Sequence, residues 1–251
     1  MRPEVLGFDF AAEEYERGRP EYPAEAIAAL QEVLDIGPGR SVVDLAAGTG
    51  KLTRVLRASG ASIVAVEPLA GMRAVFSRML PDVPLRDGTA ESIPLADGSA
   101  DTVVVGQAFH WFAAERAVPE IRRILRPRGG LGLIWNRRDE SVPWVAEVGR
   151  LLDRLDPGVP RIRAERWKSA FERGSGFAPI EYRAFPFVQR LDRRRLQDRF
   201  LSVSFVAVQS PDERRRFGEG IQAIADRTFG TDAERVELPY RTDVYWTRRV
   251  D

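Results

Sequence analysis

Asp44, Glu67 and His110 are the side chains whose types and surroundings point to chemistry in this sequence. Asp44 closes the apolar run "SVVDLAA" and stands before a glycine turn, Gly48-Thr49-Gly50. Glu67 closes the next apolar run, "SIVAVEP". A carboxylate at a strand end can accept both hydroxyls of a ribose. Glycines at a turn let the backbone approach a ligand closely. Together they point to a ligand built on adenosine. His110 is the single histidine and lies in "QAFHWF", which begins at Gln107. Near its ordinary pKa it can take a proton from a hydroxyl or an amine; the alternative is a histidine that orders its loop or packs beside Trp111.

The glycine turn admits more than one ligand. "GTGK" looks like a phosphate-binding loop, but that pattern needs a glycine where Leu45 stands and a hydroxyl where Leu52 stands. Lys51 is therefore read as a solvated residue on the first turn of a helix. The dinucleotide pattern fits Gly48 and Gly50 but finds Thr53 at its third position, where glycine or alanine is preferred. Glu67 serves a nicotinamide dinucleotide and any other adenosine ligand equally well.

These residues need strands that end at one edge. Five short, near-continuous apolar runs alternate with helical patterns: "SVVDLAA", "SIVAVEP", a short one within "VPLRDGTAE", "ADTVVVGQA" and "GLGLIWN". Such runs are expected of strands covered on both faces, so the core is predicted to be a parallel, doubly wound sheet. "AEAIAALQEVL" from Ala24 has helical spacing, and "LRPRGG" reads as a turn. After Asn136 the rhythm changes. "WVAEVGRLLDRL", "RRRLQDRFLSVSFVAV" and "DERRRFGEGIQAIADRTF" read as helices; "IEYRAFPFVQRL" and "RVELPYRTDVYWTRRV" alternate as strands. The arginine triplets at 193–195 and 214–216 are read as exposed helix faces. One domain is expected over 1–251, with an N-terminal segment (1–23), a ligand-binding core (24–136) and a C-terminal part (137–251) that adds helices and two more strands.

Composition narrows the classes. There are no cysteines, which excludes disulfides and thiolate metal sites, and a single histidine excludes a histidine-rich one. The net charge of +1 gives no global field toward nucleic acid, and basic triplets without interleaved aromatics do not suggest RNA. No stretch has the apolar length of a signal peptide or a membrane span, so a cytoplasmic location without membrane association is expected.

The ordered set of segments resembles the class I S-adenosylmethionine-dependent methyltransferases. "VVDLAAGTG" resembles their first motif, "VAVEPLAGM" their second strand, "DGTAESIPLADGSADTVVVGQAFHWF" their adenine loop and fourth strand, and "ILRPRGGLGLIW" the approach to their fifth. "YERGRPEYP" is similar to a segment of a small-molecule subgroup that includes trans-aconitate methyltransferase-like enzymes. The resemblance implies a Rossmann-like sheet of seven strands, mostly parallel with the last antiparallel, and S-adenosylmethionine as cofactor. It implies cofactor contacts from Asp44, Ala46, Gly48, Thr49, Gly50, Glu67, Pro68, Met72, Thr89, Ala90, Glu91 and Gln107. Asp44 either organises the loop or receives the cofactor's ammonium, and Met72 meets adenine or packs in the core. The family often has Asp where this chain has Thr89, so either Thr89 or Asp87 meets the adenine amino group. Tyr15 and Arg19 are placed as a lid over the methionine end of the cofactor. Trp111, Trp135 and Arg137 are placed at the substrate, and His110 as its general base. The implied reaction moves a methyl group to an oxygen or nitrogen of a small molecule, a carboxylate among the options. A nicotinamide oxidoreductase and a non-catalytic binding protein of the same fold are the rival readings.

Overall fold

The structure is a computed structural model that describes residues 7–9, 11–155, 158, 166–172 and 174–250. Its centre is a sheet of seven strands in the order β3-β2-β1-β4-β5-β7-β6. The strands are β1 (Ser41–Leu45), β2 (Ser62–Val66), β3 (Leu85–Arg86), β4 (Ala100–Gly106), β5 (Leu125–Arg138), β6 (Glu181–Asp192) and β7 (Arg235–Arg248). β1 pairs in parallel with β2 and β4, β2 with β3, and β4 with β5. The last strand runs antiparallel, as the resemblance implied. The helices are α1 (Ala12–Gly18), α2 (Ala24–Leu34), α3 (Lys51–Leu56), α4 (Ala70–Met79), α5 (Ala114–Ile124), α6 (Pro143–Leu155), α7 (Arg193–Leu201), α8 (Ser204–Ala207) and α9 (Pro211–Phe229).

The chain divides into two compact units. One holds 21–136, 160–185 and 242–251, and we call it the sheet unit. Its strands obey the period of two that sends neighbouring side chains to opposite faces. Val43, Leu45, Val103, Val105, Leu131 and Leu133 join α5 in one core. Val42, Val104 and Ile134 join α2 and α3 in the other. Burial on both faces is why these strands read as unbroken apolar runs. The expected turn at "LRPRGG" lies inside β5 as an irregularity: Ala100 pairs with Leu125 but Thr102 with Gly130, and Arg128 takes a φ of 62°.

The other unit holds 1–20, 137–159 and 186–241, and we call it the helical unit. There α7 lies against α1, close enough that a Cβ on Gly18 would sit 2.3 Å from the backbone nitrogen of Arg199. The "RRRLQDRFLSVSFVAV" segment is two helices rather than one. Ser202 turns its hydroxyl back to the carbonyl of Arg199, and Val203 is extended. The triplets are only partly exposed: Arg193 donates to the carbonyls of Ala233 and Gly230 and pairs with Asp226, and Arg214 is half-buried beside Glu14. Among the described residues no helix is long and apolar enough to cross a membrane.

Candidate active site

β1 and β4 are neighbours, yet β1 continues toward β2 and β4 toward β5. This is the reversal of strand order at which open α/β sheets bind ligands beyond the carboxyl ends of their strands. The backbone there is strained. Ala46, just past β1, has φ 58° and Gln107, just past β4, has φ 61°, a region that side chains other than glycine rarely adopt. Gly48 and Gly50 follow at φ 58° and 88°. Gly50 is doubly constrained, because a Cβ would stand 2.6 Å from the Leu80 side chain and 2.9 Å from Phe76. α3, which begins after Gly50, has six residues before it tightens into a 3-10 turn. So short a helix has little dipole, and the loop N–H groups matter more than the helix end.

Glu67 ties this loop to β2. One carboxylate oxygen accepts from the Gly48 N–H at 2.8 Å and the other from the Leu69 N–H at 2.9 Å. The side chain is buried, so a merely solvated role is excluded. Asp44 is fully buried. Its Oδ2 accepts from the Thr53 hydroxyl at 2.5 Å, while Oδ1 is buried with no hydrogen-bond partner. The Thr49 hydroxyl is buried and unpartnered as well. Desolvation pushes Asp44 up to about 6. It pushes Glu67 up to about 7, with the Asp44 charge adding to the rise against the two backbone N–H groups. Arg73 steadies the segment by donating to the carbonyls of Glu67 and Pro68, and it pairs with Asp87 at 3.0 Å.

Lys51 is not solvated. It is 8% exposed and its ammonium lies 2.9 Å from Glu21, which Arg54 also approaches at 3.6 Å. The sequence reading missed this because the counter-ion lies 30 residues upstream. Met72 and Ala90 are buried. Thr89 forms an isolated bridge with Ser92. Glu91 accepts from the Ala113 N–H, satisfying one of the orphan donors at the start of α5.

His110 sits on a 3-10 turn of Phe109–Trp111. Its Nδ1 accepts from the Trp135 indole N–H at 3.3 Å, and its ring lies 5.1 Å from that of Trp111. An Nδ1 that accepts carries no proton, so the neutral ring is protonated at Nε2. The nitrogen that can gain a proton therefore faces an N–H donor, which disfavours a general base. Trp135 is not a substrate wall either. It is 1% exposed and packs against Trp167 and Tyr245, so what it offers is its indole N–H to His110. Trp111 is half-buried. Tyr15, Arg19 and Arg137 belong to the helical unit. Arg19 stacks on Tyr15 at 4.9 Å and donates to Ser202; Arg137 is half-buried.

A family model described as a methyltransferase domain matches residues 43–133. A Schizosaccharomyces pombe protein called an uncharacterized methyltransferase-like protein is 36% identical over 91% of this chain and 90% of its own length. An uncharacterized methyltransferase of Mycobacterium tuberculosis is 50% identical over 59% of this chain and 60% of its own length. Among solved structures, a putative methyltransferase of an antibiotic biosynthesis pathway from Anabaena variabilis aligns with a TM-score of 0.65 at 22% identity, covering 91% of this chain and 98% of its own. A Haemonchus contortus phosphoethanolamine N-methyltransferase, solved with S-adenosylhomocysteine, aligns with a TM-score of 0.56 at 16% identity over 97% of this chain and 58% of its own.

Proposed function

This chain belongs to the class I S-adenosylmethionine-dependent methyltransferases, and from that premise we propose that it methylates a small molecule whose nucleophile is already ionised at neutral pH, a carboxylate first. The carrying observation is the Trp135 to His110 hydrogen bond. A protonated hydroxyl or amine needs a base in the transition state, and the histidine nearest the switch point is arranged as a donor.

The residues present fit the cofactor. Asp44 Oδ1 and Thr49 Oγ1 are buried polar atoms without partners, and each such atom is unfavourable until a ligand donor or acceptor reaches it. Asp44 would receive the cofactor's ammonium and Glu67 its ribose hydroxyls through the second lone pair of each oxygen. Thr89 and Ala90 would face the adenine, because Arg73 already engages Asp87. When bound, the cofactor supplies a methyl group that its sulfonium has already activated. The chain's task is then alignment, which can supply up to roughly 7–11 kcal/mol of a barrier. Ala46 and Gln107, held at positive φ, fix where the loop and the "QAFHWF" segment point. His110, held by Trp135, orders the loop after β4.

Calorimetry with S-adenosylhomocysteine and NAD side by side checks the site: only the first should bind. Initial rates with a panel of carboxylic acids, phenols and amines check the acceptor. At saturating S-adenosylmethionine, turnover of carboxylic acids with a rate flat from pH 6 to 9 is expected. Turnover confined to amines, rising with pH, would overturn the carboxylate reading.

A further inference from the structure

The helical unit carries a cluster that the cofactor chemistry leaves unexplained. Arg199 projects from α7 and is 2% exposed. Its Nε donates to the Tyr240 hydroxyl at 2.6 Å. Its guanidinium lies 5.4 Å from the ring centre of Phe200 and 5.7 Å from that of Tyr240. Its Nη1 is buried with no hydrogen-bond partner. The adjacent carboxylate is not its counter-ion, because Asp198 is held by Arg17 through two bonds of 2.8 and 3.3 Å. Arg138 lies 5.7 Å from the same Phe200 ring, with Glu140 at 3.6 Å. Arg19 reaches Ser202, whose hydroxyl donates back to the Arg199 carbonyl. Among the described residues, neither Arg19 nor Arg199 forms an ion pair with a carboxylate.

Arg199 and Arg138 thus gather around Phe200, with Arg19 beside them at Ser202, and Glu140 approaches Arg138. Their mutual repulsion is tangible: burial first, and then the charges of Arg199 and Arg138, push Arg19 down to about 9. Arg19 nevertheless keeps part of its surface accessible. A buried charge without a partner is strongly unfavourable. A cluster like this persists where an anion completes it. The planar fork of arginine suits two-oxygen groups above all, and low surrounding polarity strengthens the bonds. The aromatic rings of Phe200 and Tyr240 hold the fork in one plane.

We infer that Arg199, oriented by Tyr240 and supported by Arg19 and Arg138, binds an oxyanion, carboxylate or phosphate, of a ligand other than the cofactor.

The test titrates the full chain, saturated with S-adenosylhomocysteine, with succinate, benzoate, inorganic phosphate and phenyl phosphate, and with benzamide as the uncharged control. One anion series should bind one to one while benzamide does not, and the series that binds separates carboxylate from phosphate. Arg199→Met should weaken that anion by roughly 10–100-fold, the range for hydrogen bonds to charged groups. Tyr240→Phe, which keeps the packing and frees the fork, should weaken it by about 3–10-fold. Neither should alter S-adenosylhomocysteine affinity by more than about twofold, well inside one hydrogen bond's worth. A wild-type chain that binds no anion, or binds benzamide as well as benzoate, overturns the inference even if Arg199→Met does not fold. A parallel loss of S-adenosylhomocysteine affinity would show that the oxyanion is the cofactor's own carboxylate, and also overturns it. Failure of the wild type to bind S-adenosylhomocysteine would instead break the functional reading, and the anion titration is then run without it.

Discussion

In the sheet unit two carboxylates, Asp44 and Glu67, are buried at the ends of neighbouring strands; in the helical unit two guanidiniums, Arg19 donating to Ser202 and Arg199 to Tyr240, repel each other. Both regions hold like charges without neutralising partners, but they differ in what relieves the strain. Carboxylates can take up protons, and their raised values near 6 and 7 show them ready to do so. Guanidiniums stay charged at neutral pH even when displaced. The sheet unit can therefore await its ligand in a neutral form, whereas the guanidiniums of the helical unit cannot shed their charge. Burial that defies simple stability is the common sign of a ligand site.

The comparison breaks most readily at Glu67. Glu67→Ala should weaken S-adenosylhomocysteine by on the order of 100-fold, since it removes charge-assisted bonds and frees the Gly48 N–H. Unchanged affinity in that variant would mean that the ribose assignment is wrong. Next is Asp44→Asn. It keeps an acceptor for Thr53 and removes a desolvated charge, so at pH 7.5 the ligand-free protein should melt higher, by up to about 2 kcal/mol of added stability. The same variant should bind S-adenosylmethionine about tenfold more weakly, the loss expected of one hydrogen bond to a charged group. A variant that melts lower would remove Asp44 from the comparison.

The pH response sharpens the contrast. Folding raises both carboxylate values, so the folded chain holds protons that the unfolded chain releases. Stability from these groups is greatest below about pH 4 and falls as pH rises toward 7. Melting of the ligand-free protein between pH 5 and 7.5 should follow this slope in the wild type and flatten in Asp44→Asn. Affinity for the cationic cofactor should run the opposite way and rise over the same window. The smallest effect is expected at Lys51. Its partner Glu21 is half-exposed, so Lys51→Met should shift stability by less than about 1 kcal/mol and leave cofactor affinity unchanged.

What the sequence disclosed, and what it hid, follows the same physics. Strands covered on both faces, such as Val42–Leu45 and Val103–Val105, advertise themselves as apolar runs. The glycine turn and Glu67 were legible because a strand end fixes their position. Contacts across long sequence distance were not. Lys51 looked solvated because Glu21 is remote, and Trp135 looked like a pocket wall because nothing local tells that Trp167 and Tyr245 enclose it. His110 carried no sign of which nitrogen would be engaged. Arg199 did leave a trace: it stands three residues after Leu196 and just before Phe200, on the face of α7 that is buried. A charge on an apolar helical stripe was the available signal, and the neighbouring arginine triplet masked it.

Ala46 and Gln107 bear on how this scaffold could be re-engineered. Each holds a left-handed backbone at a cost of roughly 1–2 kcal/mol. Glycine at either place would relieve that cost but would free the unfolded chain by about 0.4–1 kcal/mol. The two nearly offset, so thermostability screens would pass over both sites. What a glycine there would alter is the set of directions the loop samples. The two positions set a backbone freedom that melting curves do not register.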